Sequence, residues 1–161
     1  MWQAQIFTLY PEFFPGPLSK GLYGKALEKK IWNLKVVNIR DSAEDKHKTV
    51  DDTPFGGGSG MIMRADIVAN ALDKNIFNKN EPIIYLSPKG KKFDQIYAKK
   101  ILKKNINIVC GHFEGVDQRL LETRNIEEVS IGDFILSGGE VGAFVVIDTV
   151  VRLIPGVLGN L

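Results

Sequence analysis

The residues best suited to chemistry lie in three glycine-bearing segments. The longest is Ser130-Ile131-Gly132-Asp133-Phe134-Ile135-Leu136-Ser137-Gly138-Gly139-Glu140, with three glycines and apolar side chains at Ile131, Ile135 and Leu136. Glycine at this density signals tight turns or close backbone approach to a ligand. Backbone N–H groups presented just before a helix suit a polar or charged ligand. The plain alternative is a strand-to-helix turn, and glycine alone favours it. Two further segments change the balance: Ser87-Pro88-Lys89-Gly90 and Gly111-His112-Phe113-Glu114-Gly115. In the second, Glu114 has the chemistry to neutralise a cationic ligand or hold a metal, or else to cap the helix that follows.

Each segment follows a short apolar run, at 83–86, 106–110 and 126–129, and precedes a helical pattern. Loops at the carboxyl ends of parallel strands converge on one crevice, where ligands bind. The expected architecture is therefore α/β, a mostly parallel sheet flanked by helices, in one domain over residues 1–161. Residues 3–9 and 31–39 read as two more strands, and Ser19 as the cap of a helix over 20–30. Residues 65–75 read as a helix with Val68, Ala71, Leu72 and Asn75 on one face. Phe93, Ile96, Tyr97 and Ile101 fall on one face of another. Val116, Leu120 and Leu121 suggest a short third. Residues 141–154 are apolar nearly all round, which predicts burial on every side and a partner subunit to complete it. Its polar stripe is Glu140, Asp148 and Arg152, with Phe144. Asp148 and Arg152 are spaced for an ion pair; alternatively Arg152 points to the crevice as an anion clamp.

Residues 40–60 form the longest irregular stretch, with Lys46-His47-Lys48, Val50-Asp51-Asp52 and Phe55-Gly56-Gly57-Gly58-Ser59-Gly60. A loop of this length in a compact domain is functional or disordered. Its bases could meet phosphates and its glycines a nucleobase. Residues 89–104 carry seven lysines against Asp94, a basic face that reads as solvated exterior.

The chain has 161 residues, a net charge of +2, 44% hydrophobic and 25% charged residues, and one cysteine. That supports one domain with a real core, rules out an internal disulfide and fits a reducing cytosol. The charge is too small to imply nucleic acid. The apolar run 141–154 is too short to span a membrane. The phosphate loop of NTPases, the dinucleotide glycine fingerprint, a nucleophile elbow and a cysteine–histidine zinc cluster are all missing.

Taken together the motifs resemble a known family. Tyr85-Leu86-Ser87-Pro88-x-Gly90, Cys110-Gly111-His112-Phe113-Glu114-Gly115, the Ser130–Glu140 segment and Arg152-x-Ile154-Pro155-Gly156-Val157-Leu158-Gly159 resemble the bacterial tRNA (guanine-N1-)-methyltransferases. So do Met1-Trp2, Phe7-x-Leu9-Tyr10-Pro11-Glu12-x-Phe14 and Val50-Asp51-Asp52-x-Pro54-Phe55-Gly56-Gly57-Gly58-x-Gly60-Met61. The resemblance implies the SPOUT fold with a C-terminal deep trefoil knot. Connection rules alone favour an unknotted path, so the knot rests on the resemblance. It also implies a cytoplasmic homodimer, S-adenosyl-L-methionine as methyl donor, and N1 of guanine at tRNA position 37 as acceptor. Carried over position by position, the donor-binding residues are Tyr85, Leu86, Ser87, Pro88, Gly111, Ile131, Gly132, Asp133, Phe134, Ile135, Leu136 and Gly138. Glu114 matches an acid near the methionine end. Arg152 matches an arginine aimed at guanine or at a carboxylate linked to magnesium (Mg2+). Asp51, Asp52, Gly57 and Gly58 fall in the segment that holds guanine and tRNA.

Phe55, Phe113 and Phe134 stand where the family often has tyrosine, and Ser59 where it often has proline. The family's base, an aspartate, and its C-terminal tRNA-binding domain align beyond Leu161, so slow transfer by this chain alone is the expectation. Two competing readings are another knotted methyltransferase acting on a ribose 2′-hydroxyl, and a nucleotide- or RNA-binding module without catalysis.

Overall fold

The computed structural model describes residues 1–44, 50–52, 62–112 and 115–158. Strands β1 (Trp2–Thr8), β2 (Trp32–Asn38), β5 (Ile83–Lys92), β6 (Ile106–Val109) and β7 (Ile126–Ser130) form one sheet. The order is β2-β1-β6-β5-β7, and every pairing is parallel. Two short strands, β3 (Asp51–Asp52) and β4 (Ile62–Met63), pair antiparallel beside it. The helices are α1 (Gly21–Glu28), α2 (Ala65–Asn75), α3 (Gln95–Ile101), α4 (Gln118–Thr123) and α5 (Gly139–Val151).

The apolar runs form strands because both faces of the sheet are covered, as parallel sheets require. Side chains alternate between the faces. Ile6, Ile84 and Ile108 join one core with residues of α3 and α5. Phe7, Tyr85 and Val109 join the other with residues of α2 and α4. β6 lies at the centre of the sheet, and all four of its residues are buried.

Several expectations are corrected. Ser19 does not cap α1. It ends a 3-10 turn and its hydroxyl donates to the Gly16 carbonyl at 2.9 Å, while Lys20 occupies the cap position. Ile96 is 78% exposed, because α3 turns Tyr97, Ala98 and Ile101 to the sheet instead. β5 does not stop at Leu86. It bulges between Leu86 and Lys91 and resumes pairing with β7. Gly90 is required there, since a Cβ would meet the backbone of Glu128 and Val129. Within the single chain α5 leaves Val141 and Val145, one turn apart, 57% and 44% exposed, which is the face left for the expected partner subunit. Asp148 and Arg152 form no ion pair among the described residues.

Candidate functional site

The carboxyl ends of β5, β6 and β7 open into one crevice of about 400 Å3, within the range of small-molecule sites. Each strand contributes its following segment. The bulge in β5 carries Ser87, Pro88 and Lys89 to the rim. A bulge re-aims side chains in this way. Past β6, Gly111, His112 and Gly115 line the wall, and from the last residue of β7 onward the run from Ser130 to Gly139 does so, except for Asp133. The Ser130 hydroxyl fixes the start of that run by donating to the Gly132 carbonyl at 2.9 Å and accepting the Gly132 N–H at 3.2 Å. Phe134, Ile135 and Leu136 are 51%, 87% and 40% exposed at its lip.

A buried carboxylate fastens these segments together. Glu140, in the first turn of α5, is 1% exposed. Thr8 at the end of β1 donates its hydroxyl to Glu140 Oε2 at 2.6 Å. His112 lies with Nε2 2.6 Å from Glu140 Oε1; an ionised carboxylate only accepts, so the imidazole donates. The Tyr10 ring lies 4.7 Å from the imidazole, and its backbone N–H donates to the Thr8 hydroxyl. Gly138 and Gly139 permit this closeness. A Cβ at Gly138 would strike the His112 ring, and one at Gly139 would come within 2.8 Å of the Cys110 backbone. The Gly139 N–H donates to the Gly111 carbonyl at 3.0 Å, joining α5 to the β6 segment.

The titratable groups near the wall are biased by this packing. Burial, and then the Glu128 charge, push the Tyr85 phenol above its ordinary value, so it remains a donor at neutral pH. Burial and the Glu140 charge push the Cys110 thiol well up, which leaves it inert, as a small buried apolar residue should be. Asp117 caps α4, accepting the Arg119 N–H at 2.9 Å. The Arg119 guanidinium and that N–H hold its carboxyl down at about 2.

The structure brings together Tyr85, Leu86, Ser87, Pro88, Gly111, Ile131, Gly132, Phe134, Ile135, Leu136 and Gly138 on one wall. Asp133 and Arg152 are not on that wall; Arg152 is exposed at the end of α5. Asp51 and Asp52 lie in β3, opposite Met63 and Ile62. Glu114, Gly57 and Gly58 lie outside the described residues. Asp117 occupies the N-cap position of α4. Among the described residues no three His, Cys, Asp or Glu side chains converge as a metal site. No helix of the described residues is long and apolar enough to cross a membrane.

Sequence reasoning missed Glu128, Gln118 and Leu121 as wall residues and the Thr8–Glu140–His112 network. Period-two alternation in β7 was a usable signal for Glu128, because it sets Glu127 and Glu128 on opposite faces. Nothing local links Thr8 to Glu140.

Residues 2–161 match the family described as tRNA (Guanine-1)-methyltransferase TrmD. A Pelagibacter ubique protein named tRNA (guanine-N(1)-)-methyltransferase is 73% identical over 161 residues, covering 99% of this chain and 70% of that protein. Proteins of the same name from Bartonella tribocorum and Wolbachia pipientis are 56% and 55% identical, each covering 99% of this chain and 68% and 69% of their own lengths. The motifs that shape the crevice thus belong to a match running almost end to end, and the chain belongs to the tRNA (guanine-1)-methyltransferase family.

Proposed function

We propose that the crevice binds S-adenosyl-L-methionine and that the chain directs its methyl group to N1 of guanine at position 37 of tRNA. The observation that carries this reading is the convergence of three strand-end segments on one crevice, in a chain of this family. The walls fit an adenosyl group. Leu86, Ile131 and Gly142 offer an apolar bed, and the absent side chain at Gly142 leaves room that a Cβ, 2.9 Å from Leu86 Cδ1, would take. Tyr85, Gln118 and Glu128 offer polar groups for the other end.

When bound, the sulfonium supplies a methyl group that is already electrophilic. The protein's part is orientation and proton removal. The glycines let backbone amides reach the ligand, and the Glu140 network holds the loop ends in register. N1 of guanine carries a proton at neutral pH, so a base must lie within hydrogen-bond reach of it. The resemblance assigns that base to an aspartate. It assigns Arg152 to guanine or to a carboxylate linked to Mg2+, Glu114 to the methionine end, and Asp51, Asp52, Gly57 and Gly58 to guanine. We further propose a C-terminal trefoil knot, a cytoplasmic location and a homodimer, for which the exposed Val141 and Val145 of α5 supply an apolar stripe.

The test is incubation with S-adenosylmethionine and tRNA transcripts carrying guanine or adenine at position 37, followed by nucleoside mass spectrometry. The reading predicts 1-methylguanosine, formed slowly, from the guanine transcript alone. A ribose-methylated nucleoside, or modification independent of position 37, would overturn it.

A further inference from the structure

Glu128 is the only carboxylate among the described residues that line the crevice. It stands opposite Tyr85 in the β5–β7 register, on the same face of the sheet, and its charge helps keep the Tyr85 phenol protonated. Its Oε2 is shut off from solvent and has no hydrogen-bond partner among the described residues. The neighbouring acids are treated differently. Glu127, on the other face, accepts the Tyr97 hydroxyl at 2.6 Å, and Glu140 accepts from Thr8 and His112. A carboxylate oxygen kept from both water and donors costs stability. Where it stands Oε2 is out of a ligand's reach as well, so the strain favours a carboxylate that turns into the crevice and gains its donor when a ligand binds.

Resting on the reading that the crevice holds an S-adenosyl methyl donor, we infer that Glu128 is a binding residue for that donor. Its carboxylate, turned to the ligand, accepts a hydrogen bond from an O–H or N–H group at the donor's polar end, either the ribose diol or the α-ammonium. The remainder of the wall supports this division. Leu86, Ile131 and Phe134 suit the flat adenine, whereas Glu128, Tyr85 and Gln118 are polar. A negative wall residue also complements a ligand that carries both a sulfonium and an ammonium.

The experiment compares the parent with Glu128→Gln in two measurements. One is thermal melting without ligand. The other is calorimetric titration with S-adenosylhomocysteine and with 5′-methylthioadenosine, which lacks the amino-acid end. The variant should melt at or above the parent temperature, since a neutral amide relieves the stranded charge. Its affinity for S-adenosylhomocysteine should fall about ten-fold, the worth of a hydrogen bond to a charged group. An equal loss for methylthioadenosine identifies the diol as the donor, and a loss for S-adenosylhomocysteine alone identifies the ammonium. Unchanged affinity for both ligands overturns the inference. A variant that melts well below the parent or does not fold overturns it too, because Glu128 would then be structural. If the parent binds neither ligand, the methyl-donor reading itself fails, and the inference with it.

Discussion

Two acids belong to the crevice, one behind its wall and one on it. Glu140 is 1% exposed and both of its oxygens are engaged, by Thr8 and by His112. Glu128, on the sheet-edge strand β7, keeps one oxygen buried and unengaged. A buried charge is tolerable once its lone pairs are filled, and it then fixes geometry. In Glu140 that geometry joins the ends of β1 and β6 to the start of α5. The difference separates frame from wall: the saturated acid holds three loop ends together, and the unsaturated one belongs to a residue that lines the space they enclose.

The comparison breaks most readily at Glu140. Glu140→Ala strands the Thr8 hydroxyl and the His112 imidazole in the interior, and should cost about 3 kcal/mol or more. Urea unfolding measures this, and Glu140→Gln, which keeps an acceptor, should lose clearly less. A loss below about 1 kcal/mol for the alanine variant would remove the distinction between the two acids. Next in size is Gly132→Trp. A Cβ at Gly132 already meets the Phe134 ring, so an indole displaces that ring and fills the crevice; titration should show donor binding lost while circular dichroism shows the fold retained.

A smaller effect sharpens the account of the wall that α4 supplies through Gln118 and Leu121. Asp117→Ala removes the cap of this helix and should cost about 1 kcal/mol at neutral pH. The carboxyl of Asp117 is held at about 2 in the folded chain, below the unfolded value near ~3.9. Its contribution is therefore present above about pH 4 and is lost as pH falls toward about 2. Urea midpoints of parent and variant should converge over that window. The smallest effect on the fold itself should come from Val141→Lys with Val145→Lys. These positions are exposed, so folding stability should change little while the proposed dimer gives way to monomer in sedimentation; a dimer unaltered by the change would place the interface elsewhere.

Much of the frame was legible because its signals are local. The helix expected over 65–75 spans those same residues, since its apolar residues repeat at helical spacing. The runs that end at the crevice are apolar enough to mark buried strands. Gly111, Gly132 and Gly138 mark close approaches, to Tyr85, Phe134 and His112 respectively. What was not legible depends on distant partners. Pro88 and Gly90 read as a turn, because only the pairing of Lys91 with Val129 across the sheet returns the chain to β5. Glu140 read as one member of a helix stripe. Periodicity names a face but not the neighbour, and its partner Thr8 is 132 positions away. Ile96 fitted the apolar pattern of α3 equally well on the wrong side, because a seven-residue helix constrains its own rotation weakly.

The central claim is that the segment after β7 forms the methyl-donor site. It is tested most directly by calorimetric titration of the 161-residue chain with S-adenosylmethionine, beside a folded Gly132→Trp variant. The account predicts saturable binding by the parent and none by the variant. Equal binding by both, or none by a folded parent, would contradict it.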